Sequence, residues 1–201
     1  LTSDEINGLK DGALTISFMY AHTNPDLVAS LNTKKVSAFA MDAVPRISRA
    51  QKMDALSSQA NLAGYKAVLL ASNHLRKIFP LMMTAAGTIT PSKVLIFGAG
   101  VAGLQAIATA KRLGAVVEVS DVRLETKEQV ESLGGRFLMV EGAETVKTQG
   151  GYAAEVSEAF LQKQKDLISD KIKEADIVIT TALVMGKKSP ILVTEDMVKS
   201  M

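Results

Sequence analysis

The sequence contains no cysteine and no tryptophan, and its only histidines are His22 and His74. Without thiols there is no disulfide framework, no thiolate metal centre and no cysteine nucleophile, a composition that suits a reducing compartment. Two histidines argue against a zinc site, and no metal is expected. Three Tyr and six Phe in 201 residues leave few platforms for stacked bases. The 23 basic and 21 acidic residues nearly balance, and no basic stretch is interleaved with aromatics, so no nucleic-acid groove is expected. The most apolar window, Val94 to Ala110, is broken by three glycines, Gln105 and Thr109. It falls short of the ~20 residues of a membrane span and reads as a strand followed by a helix. The opening residues Leu1 to Glu5 carry neither the basic nor the apolar part of a signal peptide, and none is expected there.

What is present, 47% hydrophobic and 22% charged residues, is the mixture of a globular chain. Leu14 to Met19 fits a buried strand, Asn24-Pro25 opens a helix to about Asn32, and Val36 to Met41 is a second strand. From about Ser48 to Lys77 no proline occurs and helix formers dominate, predicting one long helix. Its small residues, among them Ala60, Ala63, Gly64 and Ala67, would let another helix approach, either within the chain or across a dimer. Pro80, Gly87 and Pro91 punctuate a loop, and the domain boundary is expected there. Beyond it, strands Val94–Phe97, Val116–Ser120, Phe137–Val140 and Ile177–Thr180 alternate with helices Val101–Leu113, Glu125–Leu133 and a helical segment within Tyr152–Ala175. Thr194 caps a last helix, and Gly142 to Gly151 is the candidate mobile loop.

The expected fold class is α/β: a Rossmann-like doubly wound parallel sheet over 91–201, part of a second α/β domain over 1–48, and a connecting helix and linker over 49–90. Four strands where such sheets usually have six, and an opening strand without an earlier partner, suggest part of a longer fold.

Gly98-Ala99-Gly100-Val101-Ala102-Gly103 joins the first of these strands to the first helix. A lone G-x-G-x-x-G is weak evidence, since glycine-rich turns are common. Here an apolar strand precedes it, an amphipathic helix follows, and Asp121 ends the next strand 23 positions after Gly98. The first glycine makes the turn, the second lets a pyrophosphate approach the backbone, and the third lets helix and strand pack. Amides at Val101 and Ala102 would then face the anion at the positive end of the helix dipole. A carboxylate at Asp121 accepts hydrogen bonds from both ribose hydroxyls and repels a 2′-phosphate, favouring NAD over NADP. Arg123 can pair with a 2′-phosphate, stack along adenine or stand solvated.

A second cluster, Arg46, Arg49, Gln51, Asp54 and Ser57, follows a proline-entered loop. Asp54 and Ser57 can simply cap a helix; equally, such a concentration of planar donors suits a loop that orients a ligand.

The runs Met41 to Gln51 (MDAVPRISRAQ), Asp54 to Tyr65 (DALSSQANLAGY), Thr84 to Gly87 (TAAG) and GAGVAG with Asp121-Val122-Arg123 closely resemble the proton-translocating NAD(P) transhydrogenases, in particular their peripheral NAD(H)-binding domain I. The resemblance covers almost the whole chain and implies truncation at both ends. It implies that Arg46, Ile47, Ser48, Arg49, Gln51, Lys52, Met53, Asp54 and Ser57 serve the nicotinamide end, with Arg46, Gln51, Asp54 and Ser57 catalytic and Gln51 nearest the second nucleotide. Gly98, Gly100, Val101, Ala102 and Gly103 would hold the pyrophosphate, and Asp121, Val122 and Arg123 the ribose and adenine. Gly151 and Tyr152 match a mobile loop, and Gln164, Thr181, Ala182 and Leu183 match further nucleotide contacts. Read without the resemblance, Gln164 is any solvated helix residue and Leu183 any core residue.

The implied reaction is direct hydride transfer between NAD(H) here and NADP(H) on a partner domain, coupled to proton movement by a membrane domain, with the component dimeric and peripheral on the cytoplasmic face of a bacterial inner membrane or the mitochondrial matrix side. It needs no protein acid or base, because the cofactors carry the chemistry and the protein supplies position. The rival is an amino-acid dehydrogenase of the alanine dehydrogenase type, which needs an acid/base residue beside the nicotinamide. His22 is the candidate, but it falls about two positions beyond the expected place, where Tyr20 stands. A non-catalytic NAD-binding domain is the third reading.

Overall fold

The computed structural model describes residues 1–140, 147–149, 152–155, 158–182, 189 and 191–201. Its contacts divide the chain into two units, Leu1–Gln59 and Ala60–Met201.

In the first unit, α1 (Ser3–Asn7) opens with a capping box in which the Thr2 hydroxyl accepts from the Glu5 amide and the Glu5 carboxylate accepts from the Thr2 amide. Strand β1 (Leu14–Ser17), helix α2 (Pro25–Thr33) and strand β2 (Ser37–Ala40) form a strand–helix–strand unit with β1 and β2 parallel, Ile16 opposite Phe39. Ile6, Met19, Leu31 and Val36 make its core.

Two expectations fail here. Leu14, Ile16 and Phe39 are more than 60% exposed, so β1 is not a buried strand: the core of this unit comes from Ile6 of α1, Leu31 of α2 and the loop residues Met19 and Val36, and the three exposed side chains alternate outward. Asn24 stands at the start of α2 but does not cap it; its side-chain amide donates instead to the carbonyls of Met19 (3.0 Å) and Tyr20 (3.2 Å).

The long helix also differs from expectation. Ser48–Met53 is a 3₁₀ helix, and helix α3 runs only over Ala55–His74. The break is Asp54, whose non-helical backbone lets its carboxylate accept from the Ser57 amide (2.9 Å) and hydroxyl (2.6 Å), starting a new helix. The division between units falls within α3, upstream of the loop where the sequence placed it, because Ala67, Val68, Ala71, Leu75 and Phe79 pack into the core of the second unit. That loop contains a two-residue hairpin, β3 (Met82–Thr84) antiparallel to β4 (Gly87–Ile89).

The second unit is built on a parallel sheet. Strands β5 (Lys93–Phe97), β6 (Val116–Ser120), β7 (Arg136–Phe137) and β10 (Ile177–Thr180) lie in the order β10-β5-β6-β7. Helix α4 (Val101–Arg112) crosses from β5 to β6, and a 3₁₀ turn with α5 (Lys127–Ser132) crosses from β6 to β7. Between β7 and α6 (Glu158–Ile172) stands an antiparallel pair, β8 (Lys147–Gln149) and β9 (Tyr152–Glu155). The helical segment expected within Tyr152–Ala175 is thus α6, and a short strand beginning at Tyr152 precedes it. After β10, α7 (Glu195–Lys199) is capped by Thr194, whose hydroxyl accepts from the Met197 amide.

The sheet is buried on both faces, which explains why its strands read as nearly continuous apolar runs. Val94, Ile96, Val117, Val119 and Ile179 pack against α3, α4 and α5 through Val68, Ile107 and Val130. Leu95 and Phe97 point the other way, onto Ile168 and Ile172 of α6 and Met197 of α7. Helices on both faces and β5 at the reversal of strand order are the doubly wound arrangement, whose ligand crevice lies at the carboxyl ends of the strands. Among the described residues no helix is long and apolar enough to cross a membrane.

Candidate functional site

The glycine-rich run occupies the carboxyl end of β5, at that crevice. Gly98 adopts φ +96°, open only to glycine without strain, and its amide donates to the Ser120 carbonyl (2.9 Å). A Cβ at Gly103 would lie 1.8 Å from the Gly98 carbonyl oxygen, so the helix packs on the turn as the motif requires. At Gly100 the opposite holds: a Cβ there would meet nothing within 4 Å, leaving room for a ligand against the backbone. Gly100 supplies no side-chain cap to α4, and first-turn amides have no acceptor within their own helix. Among the described residues nothing takes the amides of Val101 and Ala102, which thus remain for an anion, and Val101 is exposed at 38%.

Two side chains brace this turn. The Thr181 hydroxyl, just past β10, reaches the carbonyls of Phe97 (2.9 Å) and Gly98 (3.0 Å). From β6, Asp121 accepts the Ala99 amide on Oδ2 at 2.7 Å. Its carboxylate also takes three bonds from Arg123: the amide (2.8 Å) and Nε (3.0 Å) on Oδ1, and Nη2 (2.8 Å) on Oδ2. Both side chains are withdrawn from solvent, Asp121 to 4% and Arg123 to 15%. Arg123 is therefore neither solvated nor free for a phosphate in this structure. Gln164 is not a solvated helix residue either: it is buried and donates to the Ser120 hydroxyl (3.2 Å), beside Asp121. Val122 and Ala182 are half-buried near these groups in sequence. Gly151 and Leu183, and most of the candidate loop Gly142 to Gly151, lie outside the described residues, as does the side chain of Tyr152.

The Arg46–Ser57 cluster belongs to the first unit, whereas the glycine-rich turn belongs to the second. Arg46, Ile47, Ser48, Arg49, Gln51, Lys52 and Met53 are exposed around the buried Ala50, while Asp54 and Ser57 are half-buried. The Ser57 hydroxyl and amide, with Arg46 close enough to add its charge, hold the Asp54 carboxyl below its ordinary value. Asp54 and Ser57 thus form a helix cap with each other, and the exposed members of the cluster are the 3₁₀ turn before it with Arg46 and Ile47 leading in.

Of two further features, sequence reasoning foresaw the first, a close helix approach at Gly64, and missed the second. Gly64 of α3 meets the first turn of α4: a Cβ there would fall 2.0 Å from the Ala102 carbonyl oxygen. The small residues along α3 were the available sign. In the first unit, Tyr20 takes a left-handed backbone (φ +48°) at the end of β1, held by Asp42, whose carboxylate accepts the amides of Met19 (2.6 Å) and Tyr20 (3.0 Å). Burial pushes the Asp42 carboxyl up, but these amides outweigh it and the group lies below its ordinary value. His22, nearby, is exposed.

The alanine dehydrogenase/PNT N-terminal domain matches residues 1–63, and the alanine dehydrogenase/PNT C-terminal domain matches residues 67–201. An NAD(P) transhydrogenase alpha-subunit protein of Rhodospirillum rubrum is 54% identical over 201 residues, covering 99% of this chain and 52% of that protein. An alanine dehydrogenase of Bacillus subtilis is 27% identical over 195 residues, covering 96% of this chain and 46% of that one. Among solved structures, a transhydrogenase from Sinorhizobium meliloti superposes with a TM-score of 0.87 at 47% identity, over 100% of this chain and 54% of its own. The chain thus spans about half the length of the relatives it matches. With both domain models matched and twice the identity to a transhydrogenase alpha subunit that it has to an alanine dehydrogenase, the chain belongs to the alanine dehydrogenase/PNT family.

Proposed function

We propose that this chain is the NAD(H)-binding part of an NAD(P) transhydrogenase, which passes hydride directly between NAD(H) held here and NADP(H) held by a partner domain. The observation that carries the reading is the turn at Gly98 to Gly103, with open space at Gly100, unclaimed amides opening α4 and the Asp121 carboxylate beside it. Those residues fit an adenine dinucleotide: the amides suit a pyrophosphate and the carboxylate a ribose. When bound, the nicotinamide supplies or accepts the hydride; everything else is positioning.

Each group then has a task. Val101 and Ala102 donate to the pyrophosphate, and Gly100 keeps the backbone clear for it. Asp121 takes the ribose hydroxyls, Val122 and Arg123 adjoin the adenosine, and Gln164, Thr181, Ala182 and Leu183 line the nucleotide. Gly151 and Tyr152 are assigned to the same nucleotide. Arg46, Ile47, Ser48, Arg49, Gln51, Lys52 and Met53 serve the nicotinamide end, with Asp54 and Ser57 fixing the turn that presents Gln51. The reaction asks no member of this set to act as a general base, because no protein proton moves. Proton coupling is assigned to a membrane domain of the same enzyme, with this component a peripheral homodimer on the cytoplasmic or matrix side.

An amino-acid dehydrogenase would need a catalytic base where β1 ends. At that place the chain has Tyr20, and His22 is turned to solvent. The deciding experiment mixes the full-length protein with a purified NADP-binding domain and follows reduction of an NAD analogue by NADPH, with and without alanine. Activity without any amino acid is expected; strict dependence on alanine would overturn the assignment.

A further inference from the structure

The Asp121 carboxylate has about four lone-pair positions, and all four are filled. Two partners are backbone amides, Ala99 and Arg123, fixed by the turns that carry them. The other two are Nε and Nη2 of Arg123, at 3.0 and 2.8 Å, one to each oxygen. Only these two can be exchanged without unfolding a turn. A ribose diol also presents two donors side by side, so it can take their place two for two.

Resting on the NAD(H) reading above, we propose that Arg123 is a displaceable occupant of the adenosine-ribose seat, a built-in competitor that must swing off Asp121 before a nucleotide can engage it. The seat is thus closed in the free protein by a charge-assisted fork, the stronger kind of hydrogen-bonded pair, in a place withdrawn from water. The apparent affinity for NADH is then the intrinsic affinity multiplied by the fraction of molecules whose Arg123 has left. The device also contributes to selectivity. A nucleotide carrying a 2′-phosphate has lost one of the two hydroxyls, so it cannot replace the fork in full and sets its own negative charge against Asp121.

The test is NADH binding to the full-length protein by fluorescence titration and stopped-flow mixing, for the native sequence, Arg123→Met and Arg123→Lys. Met keeps the apolar stem without the charge; Lys keeps the charge without the fork and guards against a folding defect in the first variant. Both are expected to bind NADH about tenfold more tightly, equivalent to 1.4 kcal/mol, through faster association with little change in dissociation. The gain must vanish when Asp121→Asn is added, because the competition is for that carboxylate. Unchanged or weaker binding in both folded variants, or a gain that survives Asp121→Asn, overturns the competitor while leaving the site intact. Absence of NADH binding to the native protein at saturating concentration overturns the site and the competitor together.

Discussion

Replacing Gly64 by alanine separates the packing of the α4 start from its chemistry. In an open helix interior this change would stabilise by about 1 kcal/mol through helix propensity. Here the new Cβ would lie 2.0 Å from the Ala102 carbonyl oxygen and 2.9 Å from its carbon, both backbone atoms that no rotamer can move aside. To reach ordinary contact, the first turn of α4 must retreat by more than an ångström. Overpacking of this kind costs about 1–3 kcal/mol, and a clash with backbone belongs at the upper end. The net loss is about 2 kcal/mol, or a fall of roughly 4–8 °C in Tm for a domain of this size. The same retreat carries the amides of Val101 and Ala102 away from the place proposed for the pyrophosphate, so NADH affinity is expected to fall as well. Gly100→Ala is the companion, because a Cβ there meets nothing and the backbone already lies in the extended region. It should change stability by no more than about 1 kcal/mol, the scale of a helix-cap substitution, while blocking the pyrophosphate. Thermal unfolding by circular dichroism and fluorescence titration with NADH, run on both variants of the full-length protein, give the comparison. If Gly64→Ala melts at or above the native temperature and binds NADH normally, the close approach of α3 to α4 is wrong.

Gln51→Asn shortens an exposed amide by one methylene, and hydride transfer is expected to slow far more than NADH binding weakens; equal losses would reduce Gln51 to a binding group. NADH should bind more tightly than NADPH, with Asp121 as the cause, and a reversed order in titration would remove Asp121 from that role. Asp176 bonds the Lys77 ammonium and the Lys93 amide, both at 2.8 Å; burial pushes its carboxyl up, yet these partners outweigh it and hold the group below its ordinary value. Its contribution is therefore complete above the ordinary carboxylate range and lost as pH falls through the lowered value. Asp176→Asn should cost about 1–3 kcal/mol in urea unfolding at neutral pH, with the gap to the native protein closing in acid; a gap that persists there would refute the ion pair as its source.

The second unit was legible because its strands are buried on both faces and its turn has a mechanical reason for every glycine. Strands β6 and β10 begin and end where the apolar runs do. Strand β7 shrinks to two residues because pairing with β6 covers only Arg136 and Phe137. The stretch from Ser48 to Ile89, which runs from the first unit into the second, was harder to read. Ser48 to Lys77 has uniform helix propensity, and only the carboxylate of Asp54, reaching forward to Ser57, interrupts it. The hairpin of Met82 to Ile89 is too short for alternation to register against the flanking prolines. Nor can a motif announce competition between neighbours: Asp121 and Arg123 were each readable as nucleotide contacts, but their engagement with each other is a property of the folded turn.

The bond from the Ala99 amide to Asp121 gives that carboxylate a second duty. It is a structural tether for the glycine turn and, on the proposed function, a reader of sugar hydroxyls, so the two properties cannot be edited apart at this position. Redesigning the protein to accept a phosphorylated ribose by neutralising Asp121 would slacken the very loop meant to grip the diphosphate. Any such redesign must first find another acceptor for Ala99.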